Sequence, residues 1–222
     1  RSPIPIISVG ALSAGGTAKT PISRWITEQI PSAWVSSRGY RRPKKGPFIR
    51  TEHDLGDEAE MLRRGGLKVI SCPDRLVAAQ YASENGARAL VIDDGFQYKR
   101  LYRNLNICCL NMQWPSSRGI IPNGWAREGW AALERASILW LHNSEPYLPH
   151  PPLPNTPKVY SRLIPSHWLH KGDTFPLSHI KGRINVAVGI AHPASFITTL
   201  HQLGLHISTL IRVADHASLP TL

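Results

Sequence analysis

From Ile4 to Pro21 the chain runs Ile-Pro-Ile-Ile-Ser-Val-Gly-Ala-Leu-Ser-Ala-Gly-Gly-Thr-Ala-Lys-Thr-Pro. An apolar, β-branched run is followed by a glycine-bearing turn, then by a lysine, a threonine and a proline. Between a strand and a helix, such a turn converges backbone N–H groups on an anion, and the helix dipole adds to the attraction. Lys19 would then reach the β- and γ-phosphates of a nucleoside triphosphate, and the Thr20 hydroxyl would hold Mg2+. Pro21 suits a first helical turn, where its missing N–H costs nothing. The spacing departs from Gly-x-x-x-x-Gly-Lys-Ser/Thr. Aligned on Lys19, the two glycine positions hold Ser13 and Ala18, so an ordinary strand–turn–helix connection stays open on the motif alone.

Further along, Ala89-Leu-Val-Ile-Asp-Asp-Gly-Phe-Gln sets two carboxylates, Asp93 and Asp94, at the end of an apolar strand. Ligands of open α/β sheets bind at that edge, and phosphate-loop enzymes keep a Mg2+-binding Asp there. A helix cap or turn is the other use of such a pair; after a glycine-rich loop the metal reading is the stronger. Gly56-Asp-Glu opens a helical pattern, and taken alone Asp57 reads as an N-cap whose carboxylate satisfies orphan N–H groups. Asp215-His216 carries no local sign of chemistry.

The elements that must position these residues are legible as a rhythm. Candidate strands are Ile4–Val9, Trp34–Ser36, Lys68–Ser71, Ala89–Asp93, Asn106–Leu110 and Ile138–Leu141. Candidate helices between them are Thr20–Gln29, Glu58–Arg64, Arg75–Asn85 and Glu128–Arg135. The strands are apolar throughout rather than alternating, as expected when both faces of a parallel sheet are covered. The β-α-β order predicts an α/β fold: a phosphate-loop NTPase-like open parallel sheet flanked by helices, with a smaller C-terminal α/β part. Residues 1–144 form the nucleotide-binding part. Residues 145–184 start with a proline-rich stretch that no helix can traverse, and read as a linker or extended connection, with Lys158–Leu163 a candidate strand after the prolines. Residues 185–222 hold a strand at Asn185–Gly189 and a helix at Pro193–Leu203, too little for an independent domain without further chain.

The 222 residues are enough to bury a core, and 42% hydrophobic with 18% charged is ordinary globular composition. The net charge of +11 is not ordinary, and it implies an acidic partner: nucleic acid, an anionic membrane surface or a phosphorylated substrate. Cys72, Cys108 and Cys109 have neither disulfide-framework nor metal-ligand spacing. Cys108 and Cys109 read as members of a buried strand, and three free thiols favour a reducing compartment. No apolar run reaches a membrane span, and no signal peptide is visible. The chain starts at Arg1 rather than Met, with its first strand almost at once, so a preceding segment is expected.

Taken together and in order, these residues resemble one family, the tetraacyldisaccharide 4'-kinases of lipid A biosynthesis in Gram-negative bacteria. Val9-Gly-Ala-Leu-Ser-Ala-Gly-Gly-Thr-Ala-Lys-Thr-Pro is similar to that family's unusual phosphate loop. Ser37-Arg-Gly-Tyr, Gly56-Asp-Glu, Asp74-Arg, Asp93-Asp-Gly-Phe-Gln and Arg127-Glu resemble its later motifs. Gly189-Ile-Ala-x-Pro-x-x-Phe and Asp215-His216 resemble its C-terminal part. The resemblance implies transfer of the ATP γ-phosphate to the 4'-hydroxyl of a tetraacyldisaccharide 1-phosphate at the cytoplasmic face of the inner membrane. It implies Asp57 as base with His216 orienting it, and Lys19 as the third catalytic group. ATP would be held by Ala14, Gly15, Gly16, Thr17, Ala18, Lys19, Thr20 and Gln97, Mg2+ by Thr20, Asp93, Asp94 and Glu128. Substrate would meet Tyr40, Glu58 and Arg75.

Some positions depart from the family pattern. Ala11 stands where the family has Asn, Ala18 where it has Gly, Tyr98 where it has His, and Asn104 where it has Asp. The family's amphipathic N-terminal segment and the residues it carries beyond Asp-His lie outside Arg1–Leu222. The basic run Arg38–Arg50 suits anionic lipid heads or a substrate phosphate, and equally a solvated loop. A relative that binds nucleotide or lipid without turnover is the alternative raised by these departures. A nucleic-acid module rests on charge alone, since no nucleic-acid motif is present, and a GTPase reading lacks any Asn-Lys-x-Asp motif.

Overall fold

The apolar run after Pro5 forms β1 (Ile6–Ala11), and each later β-branched run adds a parallel strand: β2 (Ala33–Ser37), β3 (Val69–Ser71), β4 (Ala89–Asp93), β5 (Leu105–Asn111), β6 (Ile138–His142) and β7 (Lys158–Ser161). In this computed structural model, which describes residues 2–13, 15–40, 42–43, 46–112, 119–144, 152–190 and 193–213, they form one seven-stranded sheet. Its order is β3-β2-β4-β1-β5-β6-β7. The chain divides into two compact units, Arg1–Arg162 with this sheet and Leu163–Leu222.

Among the described residues three α-helices cover the sheet: α1 (Lys19–Gln29), α2 (Asp57–Arg64) and α3 (Arg75–Glu84). On one face Ile22 and Ile26 of α1 and Ala59 and Leu62 of α2 pack on Val9, Val35, Val91 and Ile107. On the other, Ala78, Ala79 and Ala82 of α3 pack on Ile70, Leu90 and Ile92. Burying an Ile or Leu side chain in this way contributes about 1.5–3 kcal/mol. Because both faces are covered, β4 is buried along its whole length, which is why its sequence does not alternate. Cys108 and Cys109 lie fully buried in β5, as their apolar setting predicts.

One stretch differs from the sequence reading. Glu128–Arg135 is not an α-helix: after Gly129, in extended backbone, a 3-10 helix spans Trp130–Arg135 and buries Ala132 and Leu133. After the proline-rich stretch, the strand expected at Lys158–Leu163 is present as Lys158–Ser161. It is β7, which takes the sheet edge beside β6.

In the second unit, β8 (His167–His170) and β9 (Asp173–Pro176) make an antiparallel hairpin. After it, β10 (Arg183–Val188), α4 (Pro193–Gln202) and β11 (His206–Arg212) form a parallel βαβ around Val186, Val188, Leu200 and Leu205. Among the described residues no helix is long and apolar enough to cross a membrane.

Candidate active site

The carboxyl ends of β1 and β4 lie side by side, with Val9 in register with Asp93. That pairing brings the glycine-rich loop and the double carboxylate to one place. Gly10 lets them meet: a Cβ there would lie 2.5 Å from the Phe96 backbone nitrogen, so only glycine lets the Asp93–Gln97 turn fold over β1. Gly95 N donates to Val9 O at 2.9 Å, and the Gln97 amide donates to Ala11 O at 2.8 Å.

Asp93 is 2% exposed. The Thr20 hydroxyl donates to its Oδ2 at 3.0 Å and the Ser23 hydroxyl to its Oδ1 at 2.8 Å, so one carboxylate is gripped by the first turns of α1. Burial raises the Asp93 carboxyl pKa; the hydroxyls of Ser23 and Thr20 pull it back without cancelling the rise. Asp94, next in the chain, is held the other way. Burial pushes it up, but Lys19 and Arg127 outweigh burial and its pKa is lowered. Arg127 Nη1 donates to both Asp94 oxygens at 2.7 and 2.8 Å, and Lys19 Nζ lies 3.8 Å from Oδ1. The two neighbouring carboxylates are thus pushed apart in acidity, a pattern common at functional sites.

The loop itself enters α1 through Ala18, whose φ of 59° and ψ of 20° are left-handed. This is the position where the resemblance puts glycine, and the methyl group costs about 1–2 kcal/mol there. Gly15 and Gly16 also have positive φ. Lys19 Nζ donates to Thr17 Oγ1 at 3.3 Å, folding the lysine back over the loop. Gly15, Gly16, Thr17, Ala18, Lys19, Thr20, Gln97, Asp93 and Asp94 are brought together; Ala14 lies outside the described residues.

Asp57 opens α2 with Glu58 beside it. Gly56 before them has φ 93°, and a Cβ on it would sit 2.3 Å from Tyr40 O. The Tyr40 backbone therefore packs directly on the start of α2, joining the Ser37-Arg-Gly-Tyr and Gly56-Asp-Glu motifs. The Tyr40 side chain is exposed. His216 falls outside the described residues.

Other candidates have partners of their own. Arg75, 2% exposed, donates to Cys72 O, Asp93 O and Ser36 Oγ, tying together the ends of β2, β3 and β4. Burial lowers its pKa to about 10, against the pull of Asp93, so it stays charged at neutral pH. Glu128 Oε2 lies 2.7 Å from Arg135 Nη2 and 4.0 Å from Lys99 Nζ. Within the basic run, Arg42 donates to Phe48 O and Ser71 O, and Arg50 to Pro43, Pro47 and Asp54 carbonyls. Those two arginines brace the loop.

The departures find local reasons. Tyr98 Oη donates to Asp74 Oδ1 at 3.3 Å, and Asp74 caps α3 through Leu76 N and Val77 N. Asn104 Oδ1 accepts from Ile6 N at 2.9 Å, an acceptor role that Asp would fill equally. Sequence reasoning passed over Ser23, whose signal was its place one turn after Thr20 on the same helix face. It also gave Arg127 no role of its own.

Fold and site together define an α/β protein with an open parallel sheet flanked by helices, its polar groups gathered where β1 and β4 end. A family model described as Tetraacyldisaccharide-1-P 4'-kinase matches residues 1–221, and the chain belongs to that family. A tetraacyldisaccharide 4'-kinase of Pelobacter propionicus is 34% identical over 98% of this chain and 66% of its own length. One of Anaeromyxobacter dehalogenans is 30% identical over 97% of this chain and 65% of its own length. The chain thus spans about two thirds of these curated relatives. A crystal structure of LpxK from Aquifex aeolicus in complex with ATP superposes with a TM-score of 0.75 at 25% identity, covering 97% of this chain and 72% of that one.

Proposed function

We propose that the protein transfers the γ-phosphate of ATP to the 4'-hydroxyl of a tetraacyldisaccharide 1-phosphate, acting from the cytoplasmic surface of the inner membrane without spanning it. The observation that carries this reading is the grip of Thr20 and Ser23 on buried Asp93, beside the Lys19–Asp94–Arg127 charges. It fits phosphoryl transfer, which needs positioning and charge neutralisation more than covalent chemistry. Family membership and the ATP complex of the Aquifex relative support the choice of nucleotide and acceptor.

Lys19 offers its ammonium to the β- and γ-phosphates, and the N–H groups of the Gly15–Thr20 loop donate to their oxygens. Thr20 and Asp93 suit Mg2+: both offer hard oxygen donors, and a buried carboxylate with a raised pKa is stabilised by a cation. When bound, Mg2+ neutralises charge on the phosphates. Asp94 holds Lys19 and Arg127 in place. Asp57 accepts the proton of the 4'-hydroxyl, whose oxygen bonds to the γ-phosphorus while the bond to the β-phosphate oxygen breaks and ADP leaves. His216 orients Asp57. Glu58 and Tyr40 flank the acceptor, and the exposed Arg38 faces anionic headgroups.

The test is transfer of labelled γ-phosphate from ATP to the disaccharide lipid by the full-length protein. Product that disappears in Asp57→Ala is expected. Absence of product from intact protein, or transfer unchanged by Asp57→Ala, sinks the reading.

A further inference from the structure

The glycine-rich loop leaves the tilt of its peptides soft. Gly15 and Gly16 both have positive φ, and glycine adopts either sign of φ with little preference. The Gly16–Thr17 peptide pivots on ψ of Gly16, which glycine leaves soft, so its tilt is set by whatever holds it from outside the loop. At Gly16 that holder comes from β5, the strand beside β1. The Asn111 side chain, on the last residue of β5, donates from Nδ2 to Gly16 O at 2.7 Å. Its Oδ1 in turn accepts from Asn143 Nδ2 at 3.3 Å. Asn143 follows β6, has a φ of 55°, and is fixed by donation of its N–H to Ser161 O at 2.7 Å. A relay of side chains therefore runs from the edge of the sheet through β6 and β5 to one carbonyl of the loop.

A trans peptide points its C=O and the following N–H in opposite directions. Holding Gly16 O against β5 thus turns Thr17 N–H away from β5. A plane tilted about ψ of Gly16 would swing the Thr17 N–H off the anion it should meet. We infer that Asn111 is a positioning residue for the phosphates: by binding Gly16 O it keeps Thr17 N–H available to them. The inference rests on the proposed ATP site and adds to it a residue outside the loop and outside every motif that carries the family resemblance. It also assigns a donor requirement at Asn111, since neither an apolar nor an acceptor-only side chain can hold a carbonyl.

The test compares ATP binding by calorimetry in the full-length protein, in Asn111→Leu and in Asn111→Gln. Leucine keeps the shape without the donor and adds no charge; glutamine keeps the donor. The expected result is a dissociation constant for ATP raised about tenfold in Asn111→Leu, the loss of roughly one hydrogen bond to an anion. Asn111→Gln should stay within about threefold of wild type, with the unliganded Tm of both variants unchanged, because the bond lies at the surface. A merely structural residue would instead lower the unliganded Tm. ATP affinity within twofold of wild type in Asn111→Leu overturns the inference, as does equal loss in both variants. Wild-type protein that fails to bind ATP overturns the ATP-site reading, and this inference with it. If Asn111→Leu does not fold, Asn111→Ala gives the same comparison.

Discussion

Thr20 and Asp93, 73 positions apart in sequence, are joined by a 3.0 Å hydrogen bond from the threonine hydroxyl to Oδ2. The bond links the start of α1 to the end of β4, and so ties the helix that follows the glycine-rich loop to the buried carboxylate.

Asp93→Asn separates the chemical from the structural use of that carboxylate. Its raised pKa means that the folded state favours the neutral acid. The stability this group allows is fully present below its unfolded value near 3.8 and is lost as pH rises through the folded pKa. Asparagine removes that loss. At neutral pH unliganded Asp93→Asn should be more stable by about 1 kcal/mol, with a gain that shrinks in acid, while turnover falls by about a thousandfold. Thermal melts across pH and the transfer assay read both.

Asp94 titrates in the opposite sense. Lys19 and Arg127 overcome burial and lower its pKa, so its contribution is present above 3.8 and lost as pH falls through the folded value. Asp94→Asn should lower the Tm at neutral pH, and the difference from wild type should vanish in acid. A difference that persists at low pH would show that Asp94 acts through packing.

Ala18→Gly tests the left-handed entry into α1. The φ of 59° strains alanine by about 1–2 kcal/mol, partly offset by the greater freedom glycine gains in the unfolded chain, about 0.4–1 kcal/mol. The Tm should rise by about 2 °C, and calorimetry should find ATP affinity undiminished.

Gly56→Ala should be poorly tolerated. Its Cβ would lie 2.3 Å from Tyr40 O at a φ of 93°, so the start of α2 must shift. A loss of about 1–3 kcal/mol in stability is expected. Phosphate transfer should fall further than ATP binding, because Asp57 moves while the glycine-rich loop does not.

The parallel sheet and its helices were legible because their signals are local. Unbroken apolar runs such as Ala89–Ile92, separated by helical patterns, have few other ways to fold in water. The strand at 158–161 was legible too, but its place at the sheet edge was not, since proline-rich sequence also suits a connection. The 3-10 turn at Trp130–Arg135 was missed because a short helical pattern does not reveal how Gly129 will enter it.

By itself the sequence determined which chemical groups the protein owns and roughly where each lies along a strand, loop or helix: Lys19, Thr20, Asp57, Asp93, Asp94. Tertiary structure alone decided what those groups experience. Ser23 on Asp93, Arg127 on Asp94, Arg75 beneath three strand ends and Asn111 on Gly16 O are contacts between distant segments. Local pattern cannot show them, because burial and charge act through space while sequence spacing records only distance along the chain. The loop from Gly15 to Thr20 is therefore specified by its residues but aimed by its neighbours.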